Sequence, residues 1–485
     1  MKRVASLKRI ILKQPYGPLL QKYHQILYAF ILNSFWHLIN LKNRLLLPFR
    51  FKTNEKYWFL IVKTLKAIIR RIANPKSLIP YKFQLRIIKK FKNHAILVKI
   101  LTLNQYSKLT FKTVYEIAAN KSPQLSLLST FHQPSVKAGA AVFYDAAGNK
   151  QISIEAEVAL PSCYVAKINN AKILPHTSFV IMNQQLLYDY KNQIQHCDAL
   201  SKHEDMLVGA ELLKHVYFKK YPTAKNTIKY GISLLEDFQF NYYHWLLETL
   251  PKLVLLDDIP GISSYPLLVP DKLPEQFYEA LNIINADKRE IIKLQANELY
   301  GVKDLIYLSN LSLSNEARHR LAKPDDYCIS PIAINFIREK CHELFSLQTP
   351  SKLIYLERSA HYRALNNETE IKAAAISMGF EAVDCRHLNF KEQINLFSQA
   401  KFIIGPTGAS FTNLIFTQNP AKALILYPGT IYENFEIFNS IAKPIGLKLS
   451  FIKGSPNHPD NVHSNYTINP KLFETLLMEE IVNNS

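Results

Sequence analysis

The sequence predicts an α/β protein: two consecutive halves in which strands and helices alternate, preceded by a basic N-terminal arm. Three observations predict it. From about Val165 onward, short apolar runs recur roughly every 20–30 residues with helical stretches between them, which is the length of a βα unit. Hydrophobic residues make up 48% of the 485 and charged ones 20%, enough for packed cores and too apolar for wholesale disorder. Charge is segregated: residues 1–100 hold 22 of the 59 Lys and Arg but only one of the 39 acids, Glu55, which leaves a body of 37 bases and 38 acids close to neutrality. A neutral body with a basic arm points to an anionic surface.

The arm divides that surface into lipid and nucleic acid. It carries Ile26-Leu27-Tyr28-Ala29-Phe30-Ile31-Leu32, Phe35-Trp36, Leu45-Leu46-Leu47 and Tyr57-Trp58-Phe59-Leu60-Ile61-Val62, broken by Lys and Arg every few residues. Apolar runs of this kind suit helices lying in a membrane interface, and each clustered cation adds about 1 kcal/mol near an anionic leaflet. Nucleic acid is not expected as a partner; a basic helical subdomain packed on the body is the plainer alternative. Residues 25–41 are the longest apolar stretch and the one candidate for a spanning helix, but Asn33, His37 and Asn40 interrupt it and it falls short of about 18 uninterrupted apolar residues. The first residues, MKRVASLKRIILKQP, lack the apolar centre of a signal peptide. Five scattered cysteines (Cys163, Cys197, Cys328, Cys341, Cys385) never form a CxxC pair, which argues against a disulfide framework or a zinc site and for a reducing compartment. The expected setting is the cytoplasm, peripheral at the inner membrane face.

The elements follow in order. Residues 165–190 read as short strands punctuated by Asn and Pro, 228–235 as a strand, 241–256 as a helical run and 265–270 as a buried strand. Residues 274–284 are helical with Pro274 expected at the first helical position, and 289–294 and 303–308 are strands. A connecting helix covers 331–345 with Ser330 as its cap. A second alternation follows, with strands at 352–357, 381–385, 401–405, 422–427 and 448–452 and helices near 367–378, 390–400, 409–416 and 431–442. Such alternation implies parallel sheets covered by helices, with a cleft between the halves and ligands at the carboxyl ends of the strands. The division expected is 1–125 for the basic helical arm, 126–325 for the first α/β half and 326–485 for the second.

Three constellations carry chemistry. Asn241-Tyr242-Tyr243-His244-Trp245-Leu246-Leu247-Glu248-Thr249-Leu250-Pro251-Lys252 opens just past a strand end, and His244 and Glu248, four residues apart, share a helix face. An imidazole beside a carboxylate is a general base with its orienting partner, or else a plain surface pair. No further His or carboxylate stands at ligand spacing, so a metal is not expected. Gly405-Pro406-Thr407-Gly408-Ala409-Ser410 is a strand-to-helix turn where small residues let a phosphate approach helix-terminal amides, although it is neither a G-x-G-x-x-G nor a Walker loop. Arg358 leaves the end of a strand, with Arg363, Asn366, Asn367 and Glu368 following; a guanidinium there offsets a diphosphate or forms a surface ion pair.

Taken together and in this order, NYYHWLLETLPKLVLL, IYLERSAHYRALNNETEI and FKEQINLFSQAKFIIGPTGASFTNLIF resemble glycosyltransferase family 61, over roughly residues 160–450. The resemblance implies a GT-B arrangement of two Rossmann-like domains facing a cleft. It also implies inverting transfer from a nucleotide sugar with no obligatory metal or cofactor, here in surface or capsular polysaccharide synthesis onto a glycan or lipid-linked acceptor. Carried over by position, His244 and Glu248 are catalytic, and Asn241, Tyr243 and Trp245 lie on the acceptor side. Arg358, Arg363, Asn367, Glu368, Gln393, Gly405, Thr407, Gly408, Ala409, Ser410 and Asn413 lie on the donor side. The chain departs from the family's Gly-Pro-His-Gly-Ala-Gly at Thr407 and Ser410. Those changes motivate the alternative of a non-catalytic scaffold or glycan-binding member. A metal-dependent phosphotransferase of α/β type is the more distant rival.

Overall fold

The structure is a computed structural model, described for residues 106–189, 206–208, 215–219, 226–257, 259–296, 298–314, 323–358, 360–431 and 434–482. The basic arm, residues 1–100, and the apolar stretch 25–41 lie outside the described residues. Ten strands frame the candidate site: β1 Cys163–Ile173, β2 Asn226–Ser233, β3 Leu267–Pro270, β4 Ile291–Leu294, β5 Tyr300–Leu308, β6 Lys352–Leu356, β7 Glu381–Val383, β8 Ala400–Pro406, β9 Lys422–Pro428 and β10 Lys448–Pro456.

In the first sheet β5-β2-β3-β4 run parallel, as alternation with helices predicts. The sheet does not stop there: β1 lies antiparallel along β5, and hairpin strands Val180–Met182 and Gln185–Leu187 extend it, so the whole is mixed. Tyr106–Lys112, in the stretch expected to be helical, is a strand of this sheet, parallel to Gln185–Leu187. The second sheet has the order β7-β6-β8-β9-β10, all parallel. Numbered along its own chain this is 2-1-3-4-5, a doubly wound order whose reversal lies between β6 and β8. Val142–Tyr144, in the stretch expected to belong to the first half, pairs in parallel with β10 and extends this second sheet.

Burial explains why the strands of the second sheet read as unbroken apolar runs. Ile403 and Ile425 point into one core and Phe402, Ile404, Leu424 and Leu426 into another, so both faces are dry and no polar alternation survives. The larger core joins the two sheets. It takes Ile232, Leu267 and Ile306 from the first sheet, Ile403, Ile425 and Phe451 from the second, and a helical layer between them that includes Leu250, Phe277, Ile334, Phe397, Phe411 and Ile441. The outer face of the first sheet packs against Val114 and Ile117 of helix Val114–Ala119. Helices Glu368–Ser377 and Pro470–Val482 cover the outer face of the second.

Two local expectations change. Pro274 caps the helix Glu275–Ile284 from outside instead of opening it, its ψ of 147° being extended. The helical run 241–256 is not one α-helix: one turn at Tyr242–His244 leads into a π-helical stretch Trp245–Thr249 and a 3₁₀ stretch Leu250–Leu256. Pro251 has no N–H to close the α-helical ladder, so the pitch is wide before it and tight after it. Ser330 caps Pro331–Cys341 as expected, its hydroxyl accepting from the Ile332 amide at 3.2 Å. Among the described residues no helix is long and apolar enough to cross a membrane.

Candidate active site

The two sheets offer their switch points. In the first, the parallel order reverses between β2 and β5, and the chain leaving β2 leads through 234–241 to His244. Asn241 starts the helical run, its side chain accepting from the Tyr243 amide at 3.0 Å. His244 Nδ1 then meets Glu248 Oε2 at 2.7 Å, with 16% and 9% of the two side chains exposed. The shared helix face read from the sequence is therefore a real contact. The other Glu248 oxygen, Oε1, is buried and has no hydrogen-bond partner among the described residues. Phe238, half exposed, lies over the imidazole with ring centres 5.0 Å apart.

The neighbours of this pair are core and scaffold. Trp245, expected on the acceptor side, is fully buried, donates Nε1–H to the Phe277 carbonyl at 3.1 Å and stacks on the Phe277 ring. Tyr243 is also buried, and desolvation first, then the Glu248 charge, pushes its phenol well above the usual range. Beneath the run, Lys252 forms a buried ion pair with Glu236. Burial raises the Glu236 pKa and Lys252 works against that rise. The sequence reading singled out Lys252 only as part of a motif and missed Glu236, which follows β2 by three residues.

In the second sheet, β6 and β8 end at the doubly wound switch point. Arg358 emerges two residues past β6 and lies directly over Gly408: a Cβ there would collide with its guanidinium. Gly405 is required more strictly, since a Cβ would meet the Leu356 carbonyl oxygen at 2.5 Å. Burial first, and then the neighbouring Arg363, lower the Arg358 pKa. Among the described residues no carboxylate pairs with the Arg358 side chain, and its Nε is buried without a partner. Glu368 instead accepts from the Arg358 backbone amide at 3.1 Å, and burial raises its own pKa. Asn367 grips Ile468 from both sides, donating to its carbonyl at 2.9 Å and accepting from its amide at 3.2 Å. These two residues therefore brace the loop that carries Arg358.

The turn 407–410 is buried at its start and open at its end. Thr407 is 1% exposed and its amide donates to the Leu426 carbonyl at 2.9 Å; Ala409 is exposed and Ser410 half-buried. Burial pushes the Cys385 thiol up to about 11, with Ser410 working against that rise. The amides of Ala409 and Ser410 open the 3₁₀ helix Ala409–Phe416, where the first N–H groups lack partners within the helix.

The two motifs meet although about 170 residues separate them. Tyr242 Oη donates to Asn413 Oδ1 at 2.6 Å, and Asn413 Nδ2 donates to Gln393 Oε1 at 2.7 Å. Gln393 in turn donates to the Leu388 carbonyl at 3.1 Å. Asn413 and Gln393, expected at the donor, are 0% and 3% exposed, and their amides link the His244 segment to the helix Ala409–Phe416. Sequence reading also missed Tyr362 and the loop 457–465. The Arg363 amide donates to the His463 carbonyl at 3.1 Å and the Ile431 amide to the Pro459 carbonyl at 3.0 Å, so that loop joins the ends of β6, β9 and β10. The only sequence signals were a Tyr next to an Arg and two histidines in HPDNVH. Among the described residues no three His, Cys, Asp or Glu side chains converge as metal ligands.

The fold and site thus define a class: an α/β protein with an uncompensated guanidinium at a doubly wound switch point and a His–Glu pair on a segment bonded to the same turn. Residues 242–424 match the family model described as Glycosyltransferase 61, and that match supports assigning the chain to glycosyltransferase family 61. The matched span includes His244, Glu248, Arg358 and Gly408 and ends within β9. No curated protein matches the chain.

Proposed function

We propose that this chain is an inverting glycosyltransferase of GT-B type. In this reading it moves a sugar from a nucleoside diphosphate donor to a glycan or lipid-linked acceptor in surface polysaccharide synthesis. What supports the reading is Arg358 lying over Gly408, at the start of the helix Ala409–Phe416, together with the Tyr242–Asn413 bond that ties the same helix to the segment carrying His244.

The chemistry follows from the residues. An acceptor hydroxyl attacking the anomeric carbon must lose its proton as the bond to the leaving diphosphate breaks. With Nδ1 held by Glu248, His244 Nε2 is the nitrogen that takes this proton, and the carboxylate stabilises the imidazolium that forms. The leaving diphosphate gains negative charge. Arg358 and the amides at Ala409 and Ser410 meet it in a partly buried setting where such interactions are strong. Glu368 and Asn367 hold the Arg358 loop, and Asn413 and Gln393 hold the halves together, so these four act through the residues they position. Residues 1–100 would keep the enzyme at an anionic membrane surface on the cytoplasmic side, near lipid-linked acceptors.

The test is a thermal-shift screen of the purified protein against nucleotides and nucleotide sugars, with and without EDTA. A ligand at about 100 times its Kd adds roughly 2.7 kcal/mol to stability. A selective shift with one class of nucleoside diphosphate, surviving EDTA, is the expected result. Folded protein that responds to none of them would refute the reading.

A further inference from the structure

We propose that Tyr362 is a positioning residue that holds Arg358 and Arg363 as a two-guanidinium cradle for a diphosphate. Arg358 Cζ lies 5.4 Å and Arg363 Cζ 5.5 Å from the centre of the Tyr362 ring. Arg358 Nη2 also donates to the Tyr362 carbonyl at 3.2 Å. His463 abuts the same ring edge-to-face, with ring centres 5.5 Å apart. The ring itself is 50% exposed, a poor place for a tyrosine whose role is to fill a core.

Two features show that this arrangement is costly on its own. Arg363 takes a left-handed backbone conformation, φ 51°, which is strained for a residue with a long side chain and persists where the surroundings impose it. The two guanidiniums are like charges with no carboxylate partner among the described residues, and the Nε atoms of both are buried and unpaired. A doubly charged anion offsets the repulsion and supplies acceptors to both forks. With both cations within cation–π range of the one tyrosine ring, Tyr362 offsets part of that repulsion while no anion is bound. This rests on the donor reading above: the anion is the diphosphate of the nucleotide sugar, shared between the two guanidiniums.

The experiment is calorimetric titration of the full chain and of Tyr362→Ala, Tyr362→Phe and Arg363→Ala with inorganic pyrophosphate and with the matching nucleoside diphosphate. Exposed cation–π contacts each correspond to about two- to fivefold, so Tyr362→Ala should weaken both ligands about tenfold. Tyr362→Phe, which keeps the ring, should stay within about twofold of the wild type. If the tyrosine acts through the arginines, Tyr362→Ala should have much less effect when made in the Arg363→Ala background. A wild-type chain that binds no diphosphate refutes the donor reading itself. A wild-type chain that binds while Tyr362→Ala binds equally well overturns only the cradle. Equal losses in Tyr362→Phe and Tyr362→Ala would also overturn it, because the hydroxyl and not the ring would then be the working group.

Discussion

Gly408→Ala isolates the placement of Arg358 from the stability of the fold. Gly408 has φ −176°, an extended conformation open to alanine, so the backbone imposes no penalty. Alanine also narrows the unfolded ensemble, an effect worth about 0.4–1 kcal/mol in favour of folding. The new methyl has one obstacle, the Arg358 guanidinium, which is the far end of a flexible side chain and moves aside. Moving it forfeits hydrogen bonds between ionised partners, worth about 1.5–3 kcal/mol each. At about 1.4 kcal/mol per factor of ten, donor affinity should fall about 10- to 100-fold. Gly405→Ala is the contrast: its methyl meets the Leu356 carbonyl at 2.5 Å, backbone that cannot swing away, so stability should fall by about 1–3 kcal/mol. The assay is titration of a stabilising nucleoside diphosphate together with a melting curve for each variant. Gly408→Ala that melts like the wild type and binds as tightly would refute the reasoning.

Three further outcomes are expected. Tyr242→Phe removes the donor to a fully buried Asn413 oxygen and should cost about 1–3 kcal/mol in denaturant unfolding, with turnover falling as the two segments loosen. Lys252→Met leaves Glu236 buried without its cation and should cost about 3–5 kcal/mol, most of it recovered in the double variant with Glu236→Leu. Glu436 is 4% exposed, and burial raises its carboxyl above the usual 4.5. The folded state therefore holds its proton longer than the unfolded chain does. Its stabilising effect is complete below about pH 4.5 and is lost as pH rises through the elevated folded value. Glu436→Gln should flatten the fall in melting temperature on that alkaline side.

Much of this architecture was legible because it is written in local patterns. Runs such as KFIIGP and KALILYP announce strands buried on both faces, and the spacing of His244 and Glu248 announces a shared helix face. The pairing of Val142–Tyr144 with β10 was not legible, because it joins segments some 300 residues apart and a three-residue strand carries no period. The antiparallel run of β1 along β5 was not legible either, because the direction a strand takes in its sheet leaves no mark on its local pattern. Trp245 beside His244 reads as a ligand-facing ring, yet one position along a helix turns it into the core. Gln393 and Asn413 are polar residues in functional motifs whose partners turned out to be each other. Tyr362 was hidden in a polar loop, and its meaning depends on a left-handed Arg363 that no local pattern encodes.

The most direct test of the central claim compares the wild type with His244→Ala in sugar transfer, using a nucleotide sugar whose binding both have been shown to retain and following the product's anomeric configuration by NMR. The expected product is inverted at the anomeric carbon, and the variant's rate should be reduced about 10²–10⁴-fold with donor affinity within a few-fold of the wild type. Transfer by His244→Ala at the wild-type rate, or a product that retains the donor's configuration, would contradict the claim.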